Sequence, residues 1–384
     1  MQVRRQPDAA QKLARMGNVT LFEPGGEPGT KEKRIPQQQP SLKDCVSHLQ
    51  TPKGPMPVLK TLMTTACERN CYYCPFRAGR SQARRVTFRP EELAKTFDQM
   101  VRARLVDGLF LSSGIIKGSV TTQDKLLDTI DIIRRRYRYR GYIHLKVMPG
   151  AEEDQLLRAM QLADRVSINL EGPTPQRLRA LAPKKDLDRE LLSLLQAASR
   201  FRRERRERLA SLATQFVVGA VGDTDLELLA LGDRLYNQLG LARTYFSAFN
   251  PVPGTPFENL PATPAIREFR LYQSSFLLRD YQWELEDMPF IGEGNLRLDI
   301  DPKRAWAEEN LRHAPLDLMK ADRTQLLRVP GIGPKYVQVL LRARRQATLR
   351  DLSQLRALGI RAPEQMAPFV LLDGQRPLQQ QRLF

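Results

Sequence analysis

Only four of the 384 residues are cysteine, three are histidine and two are tryptophan. A disulfide framework spreads many cysteines through a small secreted domain, and this long, cysteine-poor chain excludes one. No run approaches the roughly 18 apolar residues that span a bilayer. The opening MQVRRQPDAAQKLARMG has no apolar core of the secretory type. These absences predict a cytoplasmic protein that does not act in a membrane. Acidic residues are also short: 43 Asp and Glu face 61 Lys and Arg, a formal charge of +18. Such an excess suits a polyanion such as nucleic acid, or equally a solubilising arginine-rich surface. A content of 41% hydrophobic residues supports a folded core.

What is present is ordered along the chain. Residues 1–56 read as an arm: a short amphipathic helix with Leu13 and Met16 on its apolar side, then a Pro-, Gly- and Gln-rich linker over 23–56. From Val58 to about 265, strands alternate with helices: VLKTLMTT, GLFLSS, YIHLKVM, RVSINLEG, TQFVVGAVG and RTYFSAFNPV are the strands. Long helices are expected over 89–105, 125–140 and 188–211. Six strands separated by helices predict an α/β fold with parallel pairing and right-handed crossovers, a partial (β/α)6 barrel. Its chemistry would sit at the C-terminal strand ends. A connecting segment (266–310) leads to a small all-α domain (311–373) and a tail (374–384). Residues 311–384 hold 13 Lys and Arg against 5 Asp and Glu.

Three of the four cysteines fall within eight residues, as Cys67-x3-Cys71-x2-Cys74. Thiolates are the preferred ligands of iron–sulfur clusters. Three of them leave one iron of a cubane without a protein ligand, and an open position marks a catalytic rather than a structural centre. The alternatives are a zinc site completed by Cys45 or His48, or three buried free thiols. Cys45, His48, His144 and His313 are otherwise too scattered to form a set and are read as structural.

This loop, with Tyr73 before its last cysteine, resembles the signature of the radical S-adenosylmethionine (SAM) superfamily. The resemblance implies a 4Fe–4S cluster on Cys67, Cys71 and Cys74, with SAM chelated at the open iron. Reductive cleavage would yield methionine and a 5′-deoxyadenosyl radical that abstracts hydrogen from substrate. Tyr73 would contact adenine. Ser112, Ser113 and Gly114 stand where the family has a Gly-Gly-Glu turn against the methionine amino group; the departure leaves that group's acidic partner unassigned. Asn169 and Glu171, at the end of the fourth strand, are ligand candidates, and Lys146 could meet a carboxylate. Gly219 and Gly222 resemble the family's turn after the fifth strand. Pro253 and Gly254 resemble its Pro-Gly turn after the sixth. A flavodoxin- or ferredoxin-type electron donor is implied.

Near the C-terminus, LLRVPGIGPKYVQVLLRARR (326–345) has the form of a helix, Pro-Gly-Ile-Gly and a second helix. It resembles the helix-hairpin-helix motif that grips the DNA backbone. Gly331, Gly333, Lys335, Arg342 and Arg345 are the candidate contacts, with Arg344 extending the charge. A packing hairpin is the alternative. Two basic runs remain: the arginines of 134–140, interleaved with Tyr137 and Tyr139, and SRFRRERRER at 199–208.

A barrel joined to such a hairpin resembles the family of radical SAM proteins assigned to DNA modification or repair and linked to a uracil-DNA glycosylase-like partner. Supporting landmarks are LRLDIDPKRAWAEENL and APFVLLDG. The resemblance implies an enzyme acting on duplex DNA. A radical SAM enzyme acting on tRNA, or a non-catalytic iron–sulfur DNA-binding redox sensor, would share these features.

Overall fold

The computed structural model describes residues 8–17, 42–51, 54–80 and 85–378. Most of the 23–56 linker therefore lies outside the described residues. The chain divides into two compact units: residues 1–223 with 234–268, and residues 224–233 with 269–384.

The first unit begins with α1 (Ala9–Gly17), which buries Leu13 and Met16. Next come β1 (Val46–Thr51), β2 (Gly54–Leu62), α2 (Pro90–Arg102), β3 (Gly108–Ser112), α3 (Ser119–Asp131), β4 (Tyr142–Lys146), α4 (Glu153–Leu162) and β5 (Arg165–Ser167). The unit continues through α5 (Pro175–Leu181), α6 (Ser193–Glu204), β6 (Ser211–Val218), the last turns of α7 (Asp225–Leu239, whose residues up to 233 belong to the second unit) and β7 (Arg243–Ala248). The strands form one sheet in the order β1 to β7, parallel from β2 onward, as the six-strand pattern predicts. The crossover helices cover the outer face, so strands such as β3 are buried along their whole length.

The sheet is curled. In a flat sheet β4 and β7 would stand about 14 Å apart, yet the rings of His144 and Tyr245 stack at 6.3 Å. Arg165 of β5 also reaches the Tyr245 hydroxyl at 2.9 Å. Only a half-barrel brings those strands across a common lumen.

Several local expectations differ from the fold. Residues 46–51, expected as linker, form β1 and pair antiparallel with β2, adding a seventh strand. The helix expected over 188–211 is a π-helical turn at Leu187–Leu192 followed by α6, which ends at Glu204. Similarly, α3 gives way to a π-helical turn at Ile132–Arg136. The short α5 was not anticipated, although Thr174 caps it and Pro175 opens its first turn.

The second unit contains most of α8 (Ala265–Asp280), the β8 (Phe290–Ile291) and β9 (Asn295–Leu296) hairpin, α9 (Pro302–Asn310), β10 (Leu316–Asp317), α10 (Arg323–Leu326), α11 (Pro334–Ala343), α12 (Leu352–Ala357) and β11 (Val370–Leu371). β10 and β11 pair in parallel, so the C-terminal region is helical apart from this short ladder and not all-α. Leu326, Leu327, Val329, Ile332, Val337 and Leu340 form the centre of its core. Arg328 lies between the rings of Trp283 (4.4 Å) and Trp306 (5.1 Å) and pairs with Asp287.

Candidate active site

The cysteine loop leaves the C-terminal end of β2 and is pinned at both ends. Gly114 N–H donates to Thr64 O and Glu68 N–H to Ile115 O, both at 2.8 Å, which ties the loop to the end of β3. Farther along, Tyr72 N–H donates to Leu181 O and Ala78 N–H to Arg69 O, again at 2.8 Å. Gly114 is forced by space: a Cβ there would lie 2.3 Å from Ala66 O and 3.2 Å from Cys67 Cβ. Nothing larger than glycine lets β3 approach the first cysteine so closely.

Cys67, Cys71 and Cys74 open onto one solvent-connected cavity of about 1120 Å³ at the C-terminal strand ends. Backbone N–H groups already address two of the sulfurs, Ile115 to Cys67 and Phe76 to Cys74, each at 3.4 Å. Burial pushes the Cys71 and Cys74 thiols above their ordinary value. Deprotonating them therefore needs a local positive charge, which a bound metal supplies. Among the described residues, no three His, Cys, Asp or Glu side chains converge closely enough for a single metal ion. A cubane differs, because each cysteine ligates its own iron.

The wall also carries Tyr73, Ser112, Ser113, Gly114, Lys146, Asn169 and Glu171, so the structure brings together ten of the residues singled out from sequence. Glu171 is 5% exposed and adopts φ +64, a conformation rare for a non-glycine residue. Lys185 Nζ lies 3.1 Å from its Oε1, with both side chains buried. Burial alone would raise the Glu171 carboxyl, but Lys185 and then Lys146 outweigh it and hold the carboxyl below its usual range. Burial would likewise lower Lys185; Glu171 reverses this and raises it. Tyr73 is raised mainly by burial and next by Glu171.

Two buried acceptors on this wall, Glu171 Oε2 and Asn169 Oδ1, receive no hydrogen bond of good geometry among the described residues, although the Tyr73 phenol lies against the Glu171 carboxylate. Asn169 spends its Nδ2 on Gln215 Oε1 at 3.0 Å, which aligns the side chain. Buried acceptors without donors are costly and await a ligand that donates. Glu171 is also the sole carboxylate on the cavity wall among the described residues, while Arg69, Lys146 and Lys185 supply cations.

Gly219, Gly222, Pro253 and Gly254 do not line this cavity. They shape the turns behind it: Gly219 N–H donates to both Asp223 carboxylate oxygens, and Pro253 O accepts from Arg80 Nε at 2.8 Å, which links that turn to the cysteine loop. Sequence reasoning missed Lys185, Arg69 and Gln215. Cys45 is buried away from the cavity, with its thiol on Leu13 O and burial raising it to about 12. It cannot complete a metal site there.

Residues 61–233 match the family described as the Radical SAM superfamily. Enzymes of that family bind a 4Fe–4S cluster and SAM. The chain's own residues fit both groups: three thiols on one cavity, and buried acceptors set for a donor. Among solved structures, the chain is similar to the FeFe-hydrogenase maturase HydG from Carboxydothermus hydrogenoformans, with 17% identity over 58% of this chain and 51% of that one (TM-score 0.47). It is also similar to methylornithine synthase (PylB), with 16% identity over 58% and 61% (TM-score 0.47). A third is the radical SAM methyltransferase TsrM from Kitasatospora setae, with 15% identity over 61% and 43% (TM-score 0.41). The chain spans less than two thirds of each of these proteins. No curated protein matches it. Among the described residues, no helix is long and apolar enough to cross a membrane.

In the second unit, the Pro-Gly-Ile-Gly turn lies between α10 and α11. Gly331 takes φ +85, which an L side chain adopts only under strain, and Ile332 is fully buried in the core. Gly333 caps α11, and Pro334 occupies its first turn. The side chains of Lys335, Arg342 and Arg345 are exposed, with no hydrogen-bond or ion-pair partner among the described residues. Arg344 is different: it donates to Leu318 O and Ala321 O and holds the hairpin to the unit's core.

Proposed function

We propose that this protein is a cytosolic radical SAM enzyme that modifies or repairs a nucleotide in duplex DNA. The observation carrying the enzymatic half is the meeting of three cysteine thiols with the buried acceptors of Glu171 and Asn169 in one cavity. When bound, the cluster would supply the one-electron reduction that cleaves SAM.

The chain's residues bind and orient. Cys67, Cys71 and Cys74 hold the cluster, and the close packing at Gly114 fixes the loop against β3. Glu171, kept ionised by Lys185 and Lys146, accepts from the SAM amino group. It thereby takes the part of the acid absent from Ser112-Ser113-Gly114. Asn169 accepts a second donor, and Lys146 or Arg69 faces the carboxylate. Tyr73 packs beside the adenine. The reductant is a flavodoxin- or ferredoxin-type protein.

The DNA half is supported by α11. The free N–H groups of its first turn lie behind Pro-Gly-Ile-Gly beside the unpartnered Lys335, an arrangement suited to phosphate oxygens. Arg342 and Arg345 extend the same charge, and a uracil-DNA glycosylase-like protein is the partner that would share the substrate. The target nucleoside leaves the stack to reach the cavity. The experiment has two arms: 5′-deoxyadenosine formation by the reduced, reconstituted protein, and competition between duplex DNA and tRNA for binding. DNA should compete better, and its addition should raise 5′-deoxyadenosine formation. Preferential tRNA binding would move the substrate to RNA, and absent 5′-deoxyadenosine would reduce the protein to a redox sensor.

A further inference from the structure

The N-terminal ends of β4, β5 and β6 lie at the end of the sheet opposite the cysteine loop. A second concavity opens there, with an empty volume of about 1300 Å³. Its charged wall consists of Arg134, Arg135, Arg138, Arg140 and Arg208 with a single acid, Asp164. The site is built rather than incidental. Arg134 donates to Leu162 O at 2.8 Å, to Tyr139 O at 3.1 Å, to Gly141 O at 2.8 Å and to Asp164 Oδ2 at 3.0 Å. It is thus the scaffold of the loop. Tyr139 anchors the same loop through its hydroxyl on Asp107 O (2.8 Å) and its edge-to-face contact with Phe97 (5.0 Å). Between these anchors, the π-helical turn at Ile132–Arg136 and the positive φ of Arg138 (+52) turn the chain outward.

The charges do not balance. Asp164 Oδ2 is already shared by Arg134 and by Ile143 N–H at 2.9 Å. Arg135 pairs with Asp131 at 3.2 Å. Arg138, Arg140 and Arg208 are exposed, with no hydrogen-bond or ion-pair partner among the described residues. Three guanidinium groups held around one cleft repel one another unless an anion joins them. The planar donor fork of arginine matches phosphate oxygens.

We propose that this cleft is a second nucleic-acid contact, taking successive phosphates of a polynucleotide backbone without reading bases. Its open form and its cations, drawn from two separate chain segments, suit an extended polyanion better than a lone phosphate, which an enclosed backbone cradle serves. The inference rests on the DNA reading and adds to it a contact on the barrel unit itself, independent of the hairpin.

The test measures binding of a short fluorescent DNA duplex to the full-length protein by anisotropy across a salt series. Each neutralised phosphate contributes about 0.9 to the slope of log affinity against log salt. R138Q/R140Q/R208Q should therefore flatten that slope by roughly 2–3, with an unchanged melting temperature and unchanged 5′-deoxyadenosine formation in the absence of DNA. R102Q/R104Q/R179Q removes the same charge elsewhere on the barrel unit and should leave the slope intact. If both triple variants flatten it equally, or neither does, the cleft is no specific contact and the proposal is overturned. If DNA binding persists and depends on Lys335, Arg342 and Arg345 while the cleft variant behaves as wild type, only this inference fails. A wild-type protein that binds no DNA overturns both readings.

Discussion

The Glu171–Lys185 pair offers a test in which stability and function separate. Its atoms stand 3.1 Å apart, and both side chains are more than nine-tenths buried. Replacing Glu171 with Gln strands a buried ammonium, which costs about 3–5 kcal/mol. Replacing Lys185 with Met should cost less, because Lys146 still faces the carboxylate. E171Q/K185M removes both charges and should lie within about 1–2 kcal/mol of wild type, since a buried pair is often nearly neutral against isosteres. The cycle should therefore be strongly non-additive by urea unfolding followed with far-UV circular dichroism. The pH dependence has a definite sign. The lowered Glu171 contributes stability that is present above its unfolded value and lost as pH falls through the folded one. The raised Lys185 contributes stability that is present below its unfolded value and lost as pH rises through the folded one. The pair thus stabilises between roughly pH 4 and 10, and the double variant loses stability less steeply at either edge. Although it recovers stability, E171Q/K185M should not recover SAM affinity, because the carboxylate is gone. Additive single-variant costs, or a double variant that binds SAM as wild type does, would refute this role for Glu171.

Other expectations follow from named contacts. G114A places a methyl group 2.3 Å from a backbone oxygen beside Cys67; displacing the loop should cost about 1–3 kcal/mol and lower SAM cleavage roughly 10–100-fold, measured as 5′-deoxyadenosine per bound iron. Lys303 is lowered to about 7, chiefly by burial and further by Arg328, with Asp301 opposing. The unfolded chain therefore binds more protons from about pH 7 to about 10, so stability of the second unit should rise across that window. Tryptophan fluorescence reads that unit alone, because Trp283 and Trp306 are the chain's two tryptophans, and K303M should flatten the rise. Arg328→Met loses two ring contacts and the Asp287 pair, and should cost about 1–3 kcal/mol in the same assay.

Features written in consecutive residues were the ones legible in the sequence. The cysteine loop and the Pro-Gly-Ile-Gly turn each need only local spacing, and the six parallel strands are announced by continuous apolar runs. Asn169 and Glu171 could be found because they end a strand. Lys185 could not: it enters the cavity from the loop after α5, and only the folded chain brings it to Glu171. Gln215 was hidden inside an apolar strand, where its lumen-facing role depends on the curl of the sheet. β1 escaped notice because it is an edge strand, only half-buried along its length, in a segment whose Pro and Gln content reads as linker. The π-helical turns leave no periodic signal, since one turn of altered pitch barely shifts a helical pattern.

The central claim is a cluster held by only three protein thiolates. Electron paramagnetic resonance of the anaerobically reconstituted, dithionite-reduced protein tests it most directly. The account predicts a reduced 4Fe–4S signal that changes when SAM is added and is lost on Ala substitution of Cys67, Cys71 or Cys74, but not of Cys45. A signal indifferent to SAM, or a protein that takes up zinc and no iron–sulfur cluster, would contradict it.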